Sequence, residues 1–245
     1  MREHNPRPPL ANETLERLAD ETRHVTEAVD PNETANSRWK LVRQAAWFDV
    51  GVLAVLRQMS GSGEPCMWCD CNTCTDVEHY RPKAVFPHLA FMWENYLWAC
   101  TECNRFKSNR FPPDTEEGDQ ILNPLEDRVW NHFYIDQFGN LNPVWNNRFK
   151  GLDPRAVSTN LVVKLDREIL QIRRQTRLLE IRQTVLDSLH RFQAGVLSRQ
   201  QLMTRMRSLV EAPFQPDVAE YFLKGPGQQE EPFKTLIGVL GPGAL

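Results

Sequence analysis

The sequence predicts a mostly α-helical (α+β) protein that carries a small cysteine-rich module and one β-hairpin. Three observations support this fold class. Apolar residues recur at helical spacing from Leu10 to Met59 and again after Pro154. All six cysteines lie between positions 66 and 103. A short alternating stretch surrounds a Gly-Asn turn at 139–140. We therefore expect an N-terminal helical region over 1–60, a metal-bearing module over 61–115, and a β-hairpin followed by helices over 116–245.

The composition is that of a globular protein. Of 245 residues, 41% are apolar and 25% are charged, which excludes disordered and fibrous classes. The chain contains no run of 18 apolar residues, and its first 20 residues are polar where a signal peptide needs an apolar stretch. These features predict a soluble, cytoplasmic protein with no membrane association.

The N-terminal helical pattern predicts two helices, with Asn12 and Asn32 as N-caps. The stretch SGSGEP at 60–65 ends this pattern and leads into the first cysteine pair. Within the module, residues 75–82 are expected to form a strand that Pro82 ends, and residues 101–109 a short helix.

The C-terminal half predicts a hairpin over 130–145, a helix of about eight turns over 165–192, and a shorter helix over 198–210. The tail 225–245 is rich in Gly and Pro and supports no prediction. Residues 161–210 hold ten basic and four acidic residues, a local charge of +6, although the whole chain has a net charge of −3. This basic segment could follow a phosphate backbone, but solvated helix faces have the same composition, so both interpretations stay open.

The cysteines form three C-x-x-C pairs: Cys66/Cys69, Cys71/Cys74 and Cys100/Cys103. Two such pairs supply four thiolates in tetrahedral geometry, the arrangement of a structural Zn²⁺ site. The favoured ligands are Cys66, Cys69, Cys100 and Cys103, because this choice closes the longest loop. Cys71 and Cys74 remain an alternative pair.

The segment from Cys66 to Pro113 places Glu78-His79, Asn95 and a C-x-x-C-N-x-x-K string at 100–107 in order. This order resembles the HNH endonucleases, whose zinc-stabilised ββα-metal fold it would imply, and the resemblance covers 48 of 245 residues. More narrowly, the segment is similar to the Septu-type (PtuB-like) HNH nucleases of bacterial anti-phage systems. That resemblance implies an ATPase partner of the ABC or SMC-like type.

The resemblance also implies roles for individual residues. His79 would be the general base, Glu78 and Asn104 would hold a catalytic Mg²⁺ or Mn²⁺, and Asn95 would orient the base. Many family members have Asp where this chain has Glu78, so the carboxylate here reaches farther by one methylene. The residues expected to contact substrate phosphates are Lys83, Arg105 and Lys107.

The expected function is metal-dependent hydrolysis of phosphodiester bonds in nucleic acid, with double-stranded DNA favoured over RNA as the substrate. One alternative is a non-catalytic zinc-knuckle protein that binds nucleic acid or acts as a scaffold. A second is a nuclease for RNA or single strands, because groove shape and 2′-OH contacts set that choice.

Overall fold

Helices occupy both ends of the chain, and small two-stranded antiparallel sheets lie between them. The computed structural model describes residues 1–2, 7–71, 74–114 and 120–245, and for Cys74 and Thr75 it describes the backbone alone. The predicted mostly α-helical fold class is confirmed. In the described part of the chain, no helix has both the length and the apolar character that crossing a membrane requires.

The N-terminal region is more broken than predicted. Its helices are α1 (Asn12–Thr26), α2 (Pro31–Val42), α3 (Ala46–Phe48) and α4 (Ala54–Ser60), and a π-helical turn at Asp49–Leu53 joins the last two.

Both predicted N-caps are wrong. Helix α1 follows Ala11, which makes no side-chain cap. In α2 the cap is Asp30, whose carboxylate accepts the Glu33 N–H at 2.9 Å. Pro31 suits the first helical position because its φ is fixed and it lacks an N–H, so the cap falls on the residue before it.

The cysteine-rich module folds as two strands and a helix. Strand β1 (Cys74–His79) pairs antiparallel with β2 (Tyr96–Cys100), with His79 opposite Tyr96, and helix α5 (Thr101–Lys107) follows directly. The predicted strand and helix are both present, but the strand ends at His79, before Pro82 is reached. The Cys100 sulfur accepts the Cys103 N–H at 3.4 Å and caps α5, so a predicted metal ligand also fixes where this helix begins.

The predicted hairpin is confirmed as β3 (Phe133–Ile135) paired with β4 (Leu141–Pro143). Gly139 has φ +80° in the connecting turn, a conformation that favours glycine. A second hairpin, β5 (Trp145–Asn146) with β6 (Gly151–Leu152), was not predicted because two-residue strands leave no readable alternation.

The C-terminal helices follow. They are α6 (Pro154–Val163), α7 (Glu168–Gln193), α8 (Arg199–Glu211), α9 (Pro216–Leu223) and α10 (Phe233–Leu240). The long helix and the shorter helix after it match the predicted elements. The tail is more ordered than its composition indicates, because Phe233, Leu236 and Leu240 are buried along one face of α10.

Arginines of the basic segment mostly bond within the protein. Arg174 and Arg177 are buried in α7, where Arg174 pairs with Asp217 at 3.1 Å and Arg177 donates to the Leu209 carbonyl. Arg205 pairs with Asp187 at 3.3 Å. These contacts favour a structural interpretation of the segment over a nucleic-acid surface.

Buried apolar side chains from all three predicted regions form one cluster, and the proposed domain bounds stay a prediction.

Candidate metal centre and active-site cavity

Four buried cysteines meet where the start of the module contacts β2 and α5. The sulfur atoms of Cys66, Cys69, Cys100 and Cys103 all lie within 4.8 Å of one another. Tetrahedral Zn–S bonds place neighbouring sulfurs about 3.8 Å apart, and the Cys69 and Cys100 sulfurs are 3.7 Å apart. The cluster therefore has the ligand type, the ligand number and the spacing needed to hold a structural metal ion, and it is the set of four favoured from the sequence.

Backbone and side-chain donors surround these sulfurs. The Cys100 N–H donates to the Cys66 sulfur at 3.3 Å. Arg167, which precedes α7, donates to the Cys103 sulfur at 3.5 Å. Hydrogen bonding by the Cys100 thiol is the largest of the effects that lower the pKa of Cys69. The pKa of Cys103 is raised instead, first by its hydrogen bonding with the Cys100 thiol. N–H donors such as those of Cys100 and Arg167 stabilise thiolate, the form that binds a metal.

The third cysteine pair stands apart from this set. Cys71 is buried and its thiol lies 3.8 Å from the Gln215 side-chain oxygen, while Arg173 donates to its sulfur. The side chain of Cys74 lies outside the described residues. Of the alternative pair, the structure describes the thiol of Cys71 alone, and Cys71 is not part of the group of four.

A cavity of about 450 Å³ opens beside β1 and α5. Five of the residues predicted for the site line it: Glu78, His79, Lys83, Asn104 and Arg105. Strand β1 carries the first two and α5 carries Asn104. The pairing of β1 with β2, which α5 follows directly, brings them together. Lys107 and Asn95 do not line this cavity.

His79 is buried at the end of β1, and one of its ring nitrogens is already bonded. Its Nε2 lies 2.9 Å from the Ala90 carbonyl. A carbonyl only accepts hydrogen bonds, so Nε2 must carry the proton and a neutral ring then has its lone pair on Nδ1. Burial lowers the pKa of His79 to about 3, and the positive charges of Lys83 and Lys107 act in the same direction. The ring is thus a neutral base that can accept a proton at Nδ1.

Lys107 is completely buried and bonds to Glu78 rather than facing the cavity. Its ammonium donates to Glu78 Oε1 at 2.6 Å and to the His79 carbonyl at 2.8 Å. This placement does not support the predicted contact of Lys107 with substrate phosphate, because no surface of the side chain is accessible. Burial raises the pKa of Glu78 to about 7 even though Lys107 opposes that rise.

Asn95 holds the loop that follows β1. Its Oδ1 accepts the Arg81 N–H at 2.7 Å, and its Nδ2 donates to the carbonyls of Arg81 and Leu89 at 2.9 and 3.0 Å. Leu89 precedes Ala90, whose carbonyl receives His79 Nε2. Asn95 is thus bonded to the backbone at Arg81 and at Leu89, the residue before Ala90, and its role in orienting His79 stays a prediction.

The remaining predicted residues lie in the cavity wall. Among the described residues, no hydrogen-bond partner is found for the Asn104 side chain, so its amide oxygen is open to a ligand. Lys83 donates to the Asn36 side chain, and Arg105 is exposed with its guanidinium 5.4 Å from the Phe106 ring centre.

Sequence reasoning missed the opposite wall, which belongs to α2 and the residue after it. Asn36, Trp39, Lys40 and Arg43 line the cavity and follow one another at i, i+3, i+4 and i+7, so they share one helix face. Trp39 packs edge-on against His79, with ring centres 4.5 Å apart. The spacing was readable, but nothing in the sequence shows against which element a helix face docks.

Comparison with known proteins shows a distant similarity to a bacterial protein of known name. No protein-family model matches the chain. The chain is 26% identical over 154 residues to a protein named Septu protein PtuB from Bacillus thuringiensis, an alignment that includes 58% of this chain and 54% of that protein. The chain thus spans about half the length of this relative. At this identity the similarity is distant.

Proposed function

We propose that this protein is a metal-dependent endonuclease that hydrolyses phosphodiester bonds in double-stranded DNA. The observation that carries the proposal is the cavity in which His79, Glu78 and Asn104 meet two cationic side chains, Lys83 and Arg105. Hydrolysis of a phosphodiester needs a base for water, a means of neutralising the charge on the phosphate oxygens, and groups that position the backbone. The residues around this cavity provide each of them.

In this proposal His79 removes the proton from the attacking water through Nδ1. The bond from Nε2 to the Ala90 carbonyl fixes the tautomer and the ring orientation, and the Trp39 ring excludes bulk water from one side. Asn95 supports this geometry through the loop, so it is a positioning residue. A neutral, desolvated imidazole with a low pKa is a weak base at rest. We expect it to strengthen when a phosphate anion enters the cavity beside it.

Glu78 and Asn104 are the proposed ligands of a catalytic Mg²⁺ or Mn²⁺. Carboxylate and amide oxygens are the hard ligands that these ions prefer. Lys107 occupies Glu78 Oε1, which leaves Oε2 for the cation. When bound, the ion supplies Lewis-acid stabilisation of the charge that develops on the phosphate. Lys107 therefore acts as a positioning residue for the carboxylate, and Lys83 and Arg105 remain the proposed phosphate contacts from the module.

The four-cysteine cluster is proposed to hold a structural Zn²⁺. Four buried thiols leave no open coordination position, which is characteristic of a structural rather than a catalytic zinc site. The ion would link the start of the module to α5 and so keep Asn104 opposite β1.

A role in anti-phage defence is proposed from the similarity to Septu protein PtuB. The sequence resemblance further implies an ATPase partner of the ABC or SMC-like type, so the active form in the cell is proposed to be a complex.

The test is cleavage of supercoiled plasmid with Mg²⁺ or Mn²⁺, measured for the chain alone and co-expressed with its ATPase. The wild type should cut, and His79→Ala should lose at least about 100-fold in rate while keeping its metal and fold. His190→Ala, which removes an exposed histidine from α7, is the matched control. Cutting by His79→Ala at the wild-type rate would falsify the assignment of the base.

The same assay distinguishes the alternatives. A non-catalytic zinc-knuckle protein would bind DNA and cut nothing under either condition. A nuclease for RNA or single strands would prefer those substrates when matched duplex DNA, single-stranded DNA and RNA are compared.

A further inference from the structure

Helix α2 forms one wall of the cavity although it lies outside the segment that resembles a nuclease. Its cavity-facing residues are Asn36, Trp39 and Lys40, and Arg43 continues the same face as the residue that ends the helix. The cavity is therefore a cleft between the module and the N-terminal helices.

Three contacts hold α2 in this position. Trp39 is buried against His79. Asn36 accepts a hydrogen bond from Lys83, which links α2 to the loop after β1. On the other side of α2, Arg38 bonds both oxygens of Glu21 in α1. The wall is thus a fixed part of the site.

The cationic groups on this cleft are only partly compensated. Lys40 and Arg105 are exposed, and Lys83 is partly buried. Among the described residues, no carboxylate lies within 4 Å of the charged group of any of the three. Arg43 is about half exposed and lies 3.5 Å from Asp76, a distance typical of a loose surface pair.

The lysines on the two walls repel one another. Burial lowers the pKa of Lys83, and the positive charge of Lys40 lowers it further. Cations that converge from two elements on one cleft are stabilised when an anion binds between them. A helix C-terminus also favours Lys40 and Arg43, so a structural role for these residues is the rival explanation.

We propose that Lys40 and Arg43 bind backbone phosphates of the nucleic-acid substrate on the side of the cleft opposite Lys83 and Arg105. This inference rests on the proposed nuclease function and adds to it a binding wall supplied by the N-terminal helices. The ligand is the phosphodiester backbone, so the contribution is independent of base sequence.

The experiment measures duplex binding by fluorescence anisotropy over a series of salt concentrations, in the His79→Ala background so that the probe stays intact. Lys40→Gln and Arg43→Gln should each weaken binding about 5-fold near 150 mM salt and reduce the slope of log K against log salt by about 0.9. Lys40→Arg should restore the slope because it keeps the charge. Lys234→Gln, which removes an exposed lysine from α10, is the control of equal net charge.

Plasmid cleavage in the wild-type background gives a second readout. The two glutamine variants should raise KM and leave kcat within about 2-fold, since a contact that binds substrate and transition state equally affects KM alone. A purely structural role predicts instead a lower melting temperature with an unchanged salt slope. If Lys40→Gln and Arg43→Gln match Lys234→Gln in slope and KM, this inference is overturned while the nuclease proposal stands. If the protein neither binds nor cuts duplex DNA, both this inference and the nuclease proposal are overturned.

Discussion

The ammonium of Lys107 lies 2.6 Å from the Glu78 carboxylate, and neither side chain is more than 4% exposed. A buried ion pair of this kind fixes geometry more reliably than it adds stability, because both charges lose their hydration. Here it holds one oxygen of the carboxylate proposed to bind the catalytic ion.

Replacing Lys107 should therefore affect both stability and activity. Lys107→Met leaves the Glu78 carboxylate buried without its partner, and we expect a loss of about 3 kcal/mol in the free energy of unfolding and about a 10-fold slower cleavage. Urea denaturation and plasmid cleavage measure the two effects. The double variant Glu78→Gln/Lys107→Met should regain much of the stability but none of the activity. Full activity in Lys107→Met would contradict the positioning role.

Asn95 is expected to act through the loop that orients His79. Asn95→Ala removes three hydrogen bonds to backbone groups, which should reduce the free energy of unfolding by about 2 kcal/mol and cleavage by at least about 10-fold. Zinc content, measured by elemental analysis, should not change. Asn131→Ala, at an exposed position, is the control and should resemble the wild type. An unaltered cleavage rate in Asn95→Ala would remove it from the site.

Asn104 is expected to set the requirement for the catalytic ion. Asn104→Ala removes the proposed oxygen ligand, so the Mg²⁺ concentration that gives half-maximal cleavage should rise at least about 10-fold. Asn104→Asp keeps an oxygen at the same place and should stay nearer the wild type. Asn109→Ala changes another asparagine of the same cavity and should leave the Mg²⁺ dependence unaltered. Identical Mg²⁺ curves for the alanine variants at 104 and 109 would exclude Asn104 as a ligand.

The four-cysteine cluster should bind about one zinc ion per chain. Cys103→Ser should lose that zinc and lower the melting temperature by about 10 °C, because the ion links two distant parts of the module. Cys71→Ser tests the remaining described thiol and should retain the metal, since Cys71 lies outside the group of four. Metal loss in Cys71→Ser with retention in Cys103→Ser would reverse the assignment of the ligands.

The contribution of His79 to stability should fall on mild acidification because its ring is held neutral. Its pKa is about 3 in the folded protein and about 6.5 when unfolded, so the unfolded chain binds the extra proton between these values. From pH 7 to pH 5 this contributes a loss on the order of 2 kcal/mol. Glu78, whose pKa is raised to about 7, acts in the opposite direction between pH 7 and about 4.5.

The His79 contribution is therefore measured as a difference between variants. Urea unfolding of wild type and His79→Gln at pH 7 and pH 5, without added divalent ions, should show that acidification changes the free energy of unfolding less favourably in the wild type, by about 2 kcal/mol. Parallel behaviour of the two proteins would show that His79 is not buried as a neutral ring.

The sequence predicted the parts of the site that lie within one short segment. Of the three C-x-x-C pairs, the two favoured by loop closure are the ones whose sulfurs lie within 4.8 Å of one another. Glu78 and Asn104 line one cavity and Asn95 holds the loop that follows β1, because a ββα unit is local in sequence. The sequence also predicted that Lys107 contacts substrate phosphate, but its side chain is buried. Three residues beyond Asn104 on a short helix it faces the module interior, where its charge is compensated by Glu78.

The N-terminal wall could not be predicted in the same way. Lys40 and Trp39 reach the cavity through packing between segments about 40 residues apart, and helical periodicity reports only that a face exists, not what covers it. The second hairpin and α10 were missed for a related reason. The strands β5 and β6 have two residues each, which is too short to show an alternating pattern. In the tail, the Gly/Pro-rich composition hides the apolar face that α10 buries in the folded chain.

The position of Arg167 beside Cys103 has a consequence for the chemistry of the sulfur atoms. A divalent ion held by four thiolates carries an excess of two negative charges, which makes the sulfurs electron-rich and prone to attack by oxidants. A guanidinium hydrogen-bonded to one of them withdraws part of that electron density. In the proposed Zn²⁺ site, the Arg167 guanidinium would therefore lower the reactivity of the sulfurs toward oxidants.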